Sequence, residues 1–135
     1  MIQFTPDEWF NIVQRLELAT DHGRVSWSGE DDPFSINNGF QTTIAGNATY
    51  VLRSRDYDGT FPFVVKILDQ SSNVDAEFET VPFEGKQWPE PDEQASETIA
   101  RLYLKVKRLV TGAPQKARSL LDDLDGLLGQ DDSPF

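Results

Sequence analysis

Apolar positions recur along this chain first at helical spacing, then at every second residue, then at helical spacing again. Trp9, Ile12, Val13, Leu16 and Thr20 stand three or four apart, the signature of one buried helix face. Thr5 precedes them as an N-cap, Pro6 suits the first helical position, and Glu8 completes a capping box with Thr5. Gly23 can supply the left-handed residue that ends a helix. The pattern predicts a helix over Pro6–His22.

Alternation follows, as strands require. "RVSWS" puts Val25 and Trp27 on one side, "GFQTTIA" puts Phe40, Thr42 and Ile44 together, and "ATYVLRS" pairs Tyr50 with Leu52. "FPFVVKIL" offers Phe61, Phe63, Val65 and Ile67, and "VDAEFET" offers Val74, Ala76 and Phe78. "AGN", "DYDG" and "QSSN" between the later strands have turn composition and hairpin length, so the strands form an antiparallel meander. The opposite faces carry Arg53, Arg55, Lys66, Asp75, Glu77 and Glu79, which predicts one wet face with cross-strand charge pairs and one covered face. Two loops are expected, over Gly29–Asn38 and Val81–Glu93, and Trp88 in the second is expected to plug the edge of the core.

Helical period then returns. Ile99, Leu102, Tyr103, Val106, Leu109 and Val110 form one stripe, with Asp92, Glu93 and Glu97 at its start, Lys105, Lys107 and Arg108 near its end, and Gly112 as a stop. A last helix is predicted from Pro114 to Leu128, striped by Ala117, Leu120, Leu121, Leu124 and Leu128, with 129–135 as an acidic, frayed tail. A helix, four or five antiparallel strands and two more helices predict a single α+β domain over 1–128, with all three helices on one face of one sheet.

The pieces "GRVSW", "FQTTIAG", "YVLRSRDYDGTFPFVVKILD" and "RLYLKVK" give the chain a pattern that resembles a group of short uncharacterised bacterial proteins. These have an N-terminal helix, a G-x-V-x-W strand, an F-x-T-x-I-x-G strand, a hairpin and an L-Y helix. The resemblance spans most of the chain and rests on core and turn positions. It implies the α+β fold and brings no catalytic residue with it.

Composition narrows the function classes. At 135 residues one core suffices, and 38% hydrophobic with 11% aromatic residues is too apolar for a disordered chain. With no cysteine there is no disulfide, thiolate metal site or cysteine nucleophile, and the single histidine, His22, cannot form a histidine cluster. The apolar runs are too short to span a bilayer, and "MIQFTPDEWF" has acid where a signal peptide has base. A cytoplasmic protein is expected, with no membrane partner. A net charge of −11 repels nucleic-acid backbones, so direct nucleic-acid binding is not expected.

The 23 carboxylates are the chain's main source of candidate chemistry. In "SLLDDLDGLLGQDD", with Gly126 as the sixth position of a calcium loop, Asp123, Asp125 and Asp132 fall at ligating positions, but Leu121 stands at the first and Leu124, Leu127 and Leu128 continue a helical stripe. "DYDG" over Asp56–Gly59 fails the same spacing and suits a hairpin turn. "EDDP" over Glu30–Pro33 is a solvated acidic loop with a divalent ion as the rarer alternative. His22 beside Asp21 suits a helix C-terminus better than catalysis. With neither a nucleophile elbow nor a phosphate-binding glycine loop, the chain is expected not to be an enzyme and to need no cofactor or metal.

The last helix is the feature that points to a partner. Lys116 and Arg118 lie in its first turns and Asp122, Asp123 and Asp125 in its last, against the helix dipole at about 0.3–1 kcal/mol per exposed charge. Folding back along the preceding helix would bring like charges together at both ends. Three resolutions are open: the helix pairs antiparallel with its own copy and buries Leu120, Leu121, Leu124 and Leu128; its acidic end meets a basic protein partner; or it packs at an angle on the sheet with its charges solvated. The leading function expectation is a non-enzymatic protein-interaction module acting through its C-terminal helices, as a homodimer or with a protein partner, in a bacterial or phage conflict. The alternative is an acidic DNA-mimicking inhibitor of a nucleic-acid-binding protein. Fourteen Asp against five Lys would also fit adaptation to a salty cytoplasm.

Overall fold

The computed structural model describes residues 1–29, 38–44, 48–85 and 87–131. Helix α1 (Pro6–Asp21) leads into a five-stranded sheet, β1 (Ser28–Gly29), β2 (Gly39–Ile44), β3 (Ala48–Ser54), β4 (Phe63–Leu68) and β5 (Val74–Glu79), followed by α2 (Pro91–Val110) and α3 (Ala113–Asp131). Every neighbouring pair is antiparallel and the spatial order is the chain order, so the sheet is a meander in an α+β fold.

Local chemistry sets the ends of α1. The Glu8 amide donates to Thr5 Oγ1 at 3.2 Å while the Thr5 amide donates to Glu8 Oε1 at 2.8 Å, which satisfies two otherwise orphaned donors. At the other end His22 is the C-cap and Gly23 adopts φ +66°, a region glycine enters without a Cβ clash.

Helices α1 and α2 pack together, and the core lies between them and one face of the sheet. It holds Trp9, Val13 and Leu16 from α1, Phe40, Leu52, Phe63, Val65, Ile67 and Ala76 from the strands, and Ala95, Ile99, Leu102, Tyr103 and Val106 from α2. The register sets Leu52 opposite both Phe40 and Val65, and Val65 opposite Phe78, so one parity of every long strand faces the helices. Tyr103 stacks on Phe63 with ring centroids 4.4 Å apart, and its hydroxyl donates to the Asn38 carbonyl at 3.2 Å.

Several expectations need correction. "RVSWS" does not form a strand of its own length: only Ser28 and Gly29 pair with β2. Trp27 instead donates its indole N–H to Thr20 Oγ1 of α1 at 3.0 Å, so alternation there reflects side chains tucking under the helix. Strand β4 starts at Phe63 rather than Phe61, since Pro62 has no N–H for the ladder. The outer sheet face is not wholly wet, because Val51 and Val64 are buried there, opposite the long side chains of Lys66 and Arg53. The expected charge pairs are present on that face, Arg55 with Glu79 at 3.3 Å and Lys66 with Glu77 at 3.7 Å. Trp88 does not plug the core: it is 81% exposed. The last helix runs three residues beyond Leu128, through the start of the expected tail. The "AGN" turn and the "EDDP" loop lie outside the described residues.

Candidate interaction surface

Helix α3 is joined to α2 by Thr111 and Gly112, with Gly112 at φ +74°. Gly112, Ala113 and Pro114 are partly buried at this joint, and residues 115–129 are all exposed. Among the described residues the helix therefore meets α2 at its beginning and neither lies back along it nor packs at an angle on the sheet, so α1 and α2, not all three helices as expected, cover the sheet face.

All nine residues singled out in the sequence, Lys116, Arg118, Leu120, Leu121, Asp122, Asp123, Leu124, Asp125 and Leu128, lie on this uncovered helix. At about 100° per residue, Ala117, Leu120, Leu121, Leu124 and Leu128 share one face, and Leu127 belongs to it as well. The five leucines are 48–62% exposed, where a helix stripe of this kind ordinarily faces a core. Lys116 and Asp123 border one edge of the stripe, Arg118 and Asp125 the other. Asp122 is about 160° round the helix from Leu124, on the side away from the leucine stripe. Asp123, Asp125 and Gly126 stand in continuous helix, not in the loop that calcium ligation demands.

The rest of the molecule holds two features that sequence spacing did not reveal. Glu17 of α1, buried in the interface, accepts two hydrogen bonds from Arg101, from Nε at 2.7 Å and Nη2 at 2.9 Å, and lies 3.1 Å from Lys105 Nζ. Lys105 also donates to both carboxylate oxygens of Asp21 at 3.0 Å, so α2 places a cation at the C-terminus of α1. These pairs are 84 positions apart. An open apolar groove of about 480 Å³ lies beside α2, walled by Phe61, Phe63, Pro82, Phe83, Ala100 and Leu104.

In the β3–β4 connection Tyr57 and Gly59 take φ +58° and +76°, and Asn38 Nδ2 donates to the Tyr57 carbonyl at 2.7 Å. Asp58 Oδ1 accepts from Ser54 Oγ at 2.7 Å and from the Thr60 amide at 3.0 Å. Those two donors hold the Asp58 carboxyl well below its usual range, at about 2. The Arg101 and Lys105 hydrogen bonds likewise lower Glu17 against the opposing effect of burial, and burial pushes the Tyr103 phenol up. Each shift drives its group further from neutrality, opposite to what a general acid or base at neutral pH needs. Among the described residues no three metal-ligating side chains gather, and no helix is long and apolar enough to cross a membrane. Comparison with protein-family models, curated proteins and solved structures gives no match.

Proposed function

We propose that this chain is a non-enzymatic protein-interaction module whose docking element is α3. The observation that carries the reading is the leucine stripe left uncovered on a 19-residue helix anchored at its first turn. Contiguous exposed apolar surface of this kind marks sites of association. The helix is also intrinsically weak: Gly126 and Gly129 inside it cost about 1 kcal/mol each relative to alanine, and its charges oppose its dipole. Helices in proteins draw most of their stability from packing of the apolar face, and nothing in the described residues packs on this one. A cytoplasmic setting, free of any need for disulfides, belongs to the same proposal. A DNA-mimicking role has less behind it, since Glu77, Glu79, Glu17 and Asp21 are each paired with a base instead of forming an unbroken acidic row.

The test compares the full chain with a Leu121→Asp/Leu124→Asp variant and with a chain ending at Gly112, by native mass measurement of the complexes each forms in its own cell and by thermal unfolding. The expected result is unchanged unfolding of the body with loss of the assembled species in both variants. Identical assemblies from all three chains would refute the reading.

A further inference from the structure

We infer that α3 pairs antiparallel with α3 of a second copy of this chain, an inference that rests on the docking role proposed above and names the partner. The argument is the order of charge along the two edges of the stripe. On one edge Lys116 is followed seven residues later by Asp123, and on the other Arg118 is followed seven residues later by Asp125. Seven residues are two helical turns, so each edge presents a base and then, about 10 Å further on, an acid.

Two copies can face each other in two directions. Side by side in the same direction, opposite edges meet at the same level: Lys116 stands beside Arg118 of the second copy, and Asp123 beside Asp125. Like charges meet throughout. Run in opposite directions about a two-fold axis, each edge meets its own counterpart reversed, so Lys116 faces Asp123 of the second copy and Arg118 faces Asp125.

An axis between Leu120 and Leu121 brings both kinds of pair within about 3 Å of level at 1.5 Å rise per residue, and symmetry doubles them to four. The same axis sets Leu120 against Leu121 at the centre and the small Ala117 against the larger Leu124 on either side of it. The helix supplies the space this needs, because residues 115–129 are exposed and, among the described residues, the body meets α3 at its start. In the antiparallel pair the two bodies therefore sit at opposite ends. Neither Gly126 nor Gly129 lies on the stripe, and an added Cβ at either meets nothing within 4 Å.

Two short helices bury less than a standard interface, so the dimer should depend on concentration. The experiment is sedimentation of the purified full chain across a concentration series, with charge variants and cysteine pairs; the chain has no cysteine of its own. Wild type is expected to dimerise. Lys116→Asp/Arg118→Asp should raise Kd about tenfold or more by turning four attractive contacts repulsive, and adding Asp123→Lys/Asp125→Lys to it should restore the dimer. An oxidised mixture of Ala117→Cys and Leu124→Cys chains should form disulfides between the two kinds of chain. Disulfides only between like chains, or a dimer indifferent to both charge sets, would overturn the antiparallel pairing. A monomer at every concentration would overturn self-pairing while leaving the docking role to its own test, which reads assembly in the cell.

Discussion

Replacing Glu17 by glutamine removes the charge that ties α1 to α2 and keeps the shape of the side chain. In the native protein the Glu17 carboxylate is 10% exposed and receives a two-pronged hydrogen bond from Arg101 and a third contact from Lys105. Charge-assisted hydrogen bonds contribute about 1.5–3 kcal/mol each when fully desolvated. Here the cations are 49% and 36% exposed, so they regain water when the carboxylate is lost, and Lys105 keeps Asp21. The discounted cost of Glu17→Gln is about 2 kcal/mol, a sizeable part of a typical domain stability of about 5–15 kcal/mol. Arg101→Met should cost about 1 kcal/mol, because Glu17 retains Lys105, and the double variant should show coupling between the two sites. Urea unfolding at pH 7 reads each difference from the midpoint at constant slope. The pH dependence has a definite sign. Glu17 is lowered from an ordinary 4.5, so its contribution is complete above that value and is lost as pH falls through the depressed folded value. The gap between wild type and Glu17→Gln should be flat near neutrality and close on acidification below about 4.5. A variant within about 0.5 kcal/mol of wild type at pH 7, or a gap that persists in acid, would refute the account of Glu17 as a clamp.

Two further outcomes follow from local geometry. Gly126→Ala places a methyl in open space on the polar side of α3 and should stabilise that helix by about 1 kcal/mol, seen as slower amide exchange in 120–128 without a change in unfolding of the body. Asp58, followed by its carboxyl NMR resonance, should titrate near 2 in the folded protein; its support of the β3–β4 loop is complete above the ordinary 3.8 and fades as pH falls through about 2, and Ser54→Ala should move that titration upward.

What could be read from sequence was what is decided within a few residues. The Thr5–Glu8 box, the Gly23 and Gly112 stops, and the alternation of β2, β3 and β4 are all local, and they appear in the fold with their expected roles. Trp27 and Trp88 show where alternation and composition give out. One turns its indole to Thr20 on a helix and the other stands in solvent, and both outcomes depend on surfaces assembled from distant segments. The Glu17–Arg101 pair spans 84 positions with no periodicity to announce it. For α3 the sequence marked an amphipathic helix and its misplaced charges. Whether the stripe meets this chain's own sheet is a property of the joint at Gly112, which no spacing of leucines encodes.

That joint makes α3 a rod whose aim is set by phase. The leucine face points where it does relative to the body because a fixed number of residues separates Gly112 from Ala117. One added residue would swing the face through about 100°, whereas seven would bring it round to nearly the same heading about 10 Å further out. The body fixes the compass bearing of the docking face, the helix fixes its reach, and the two can be altered independently by counting residues.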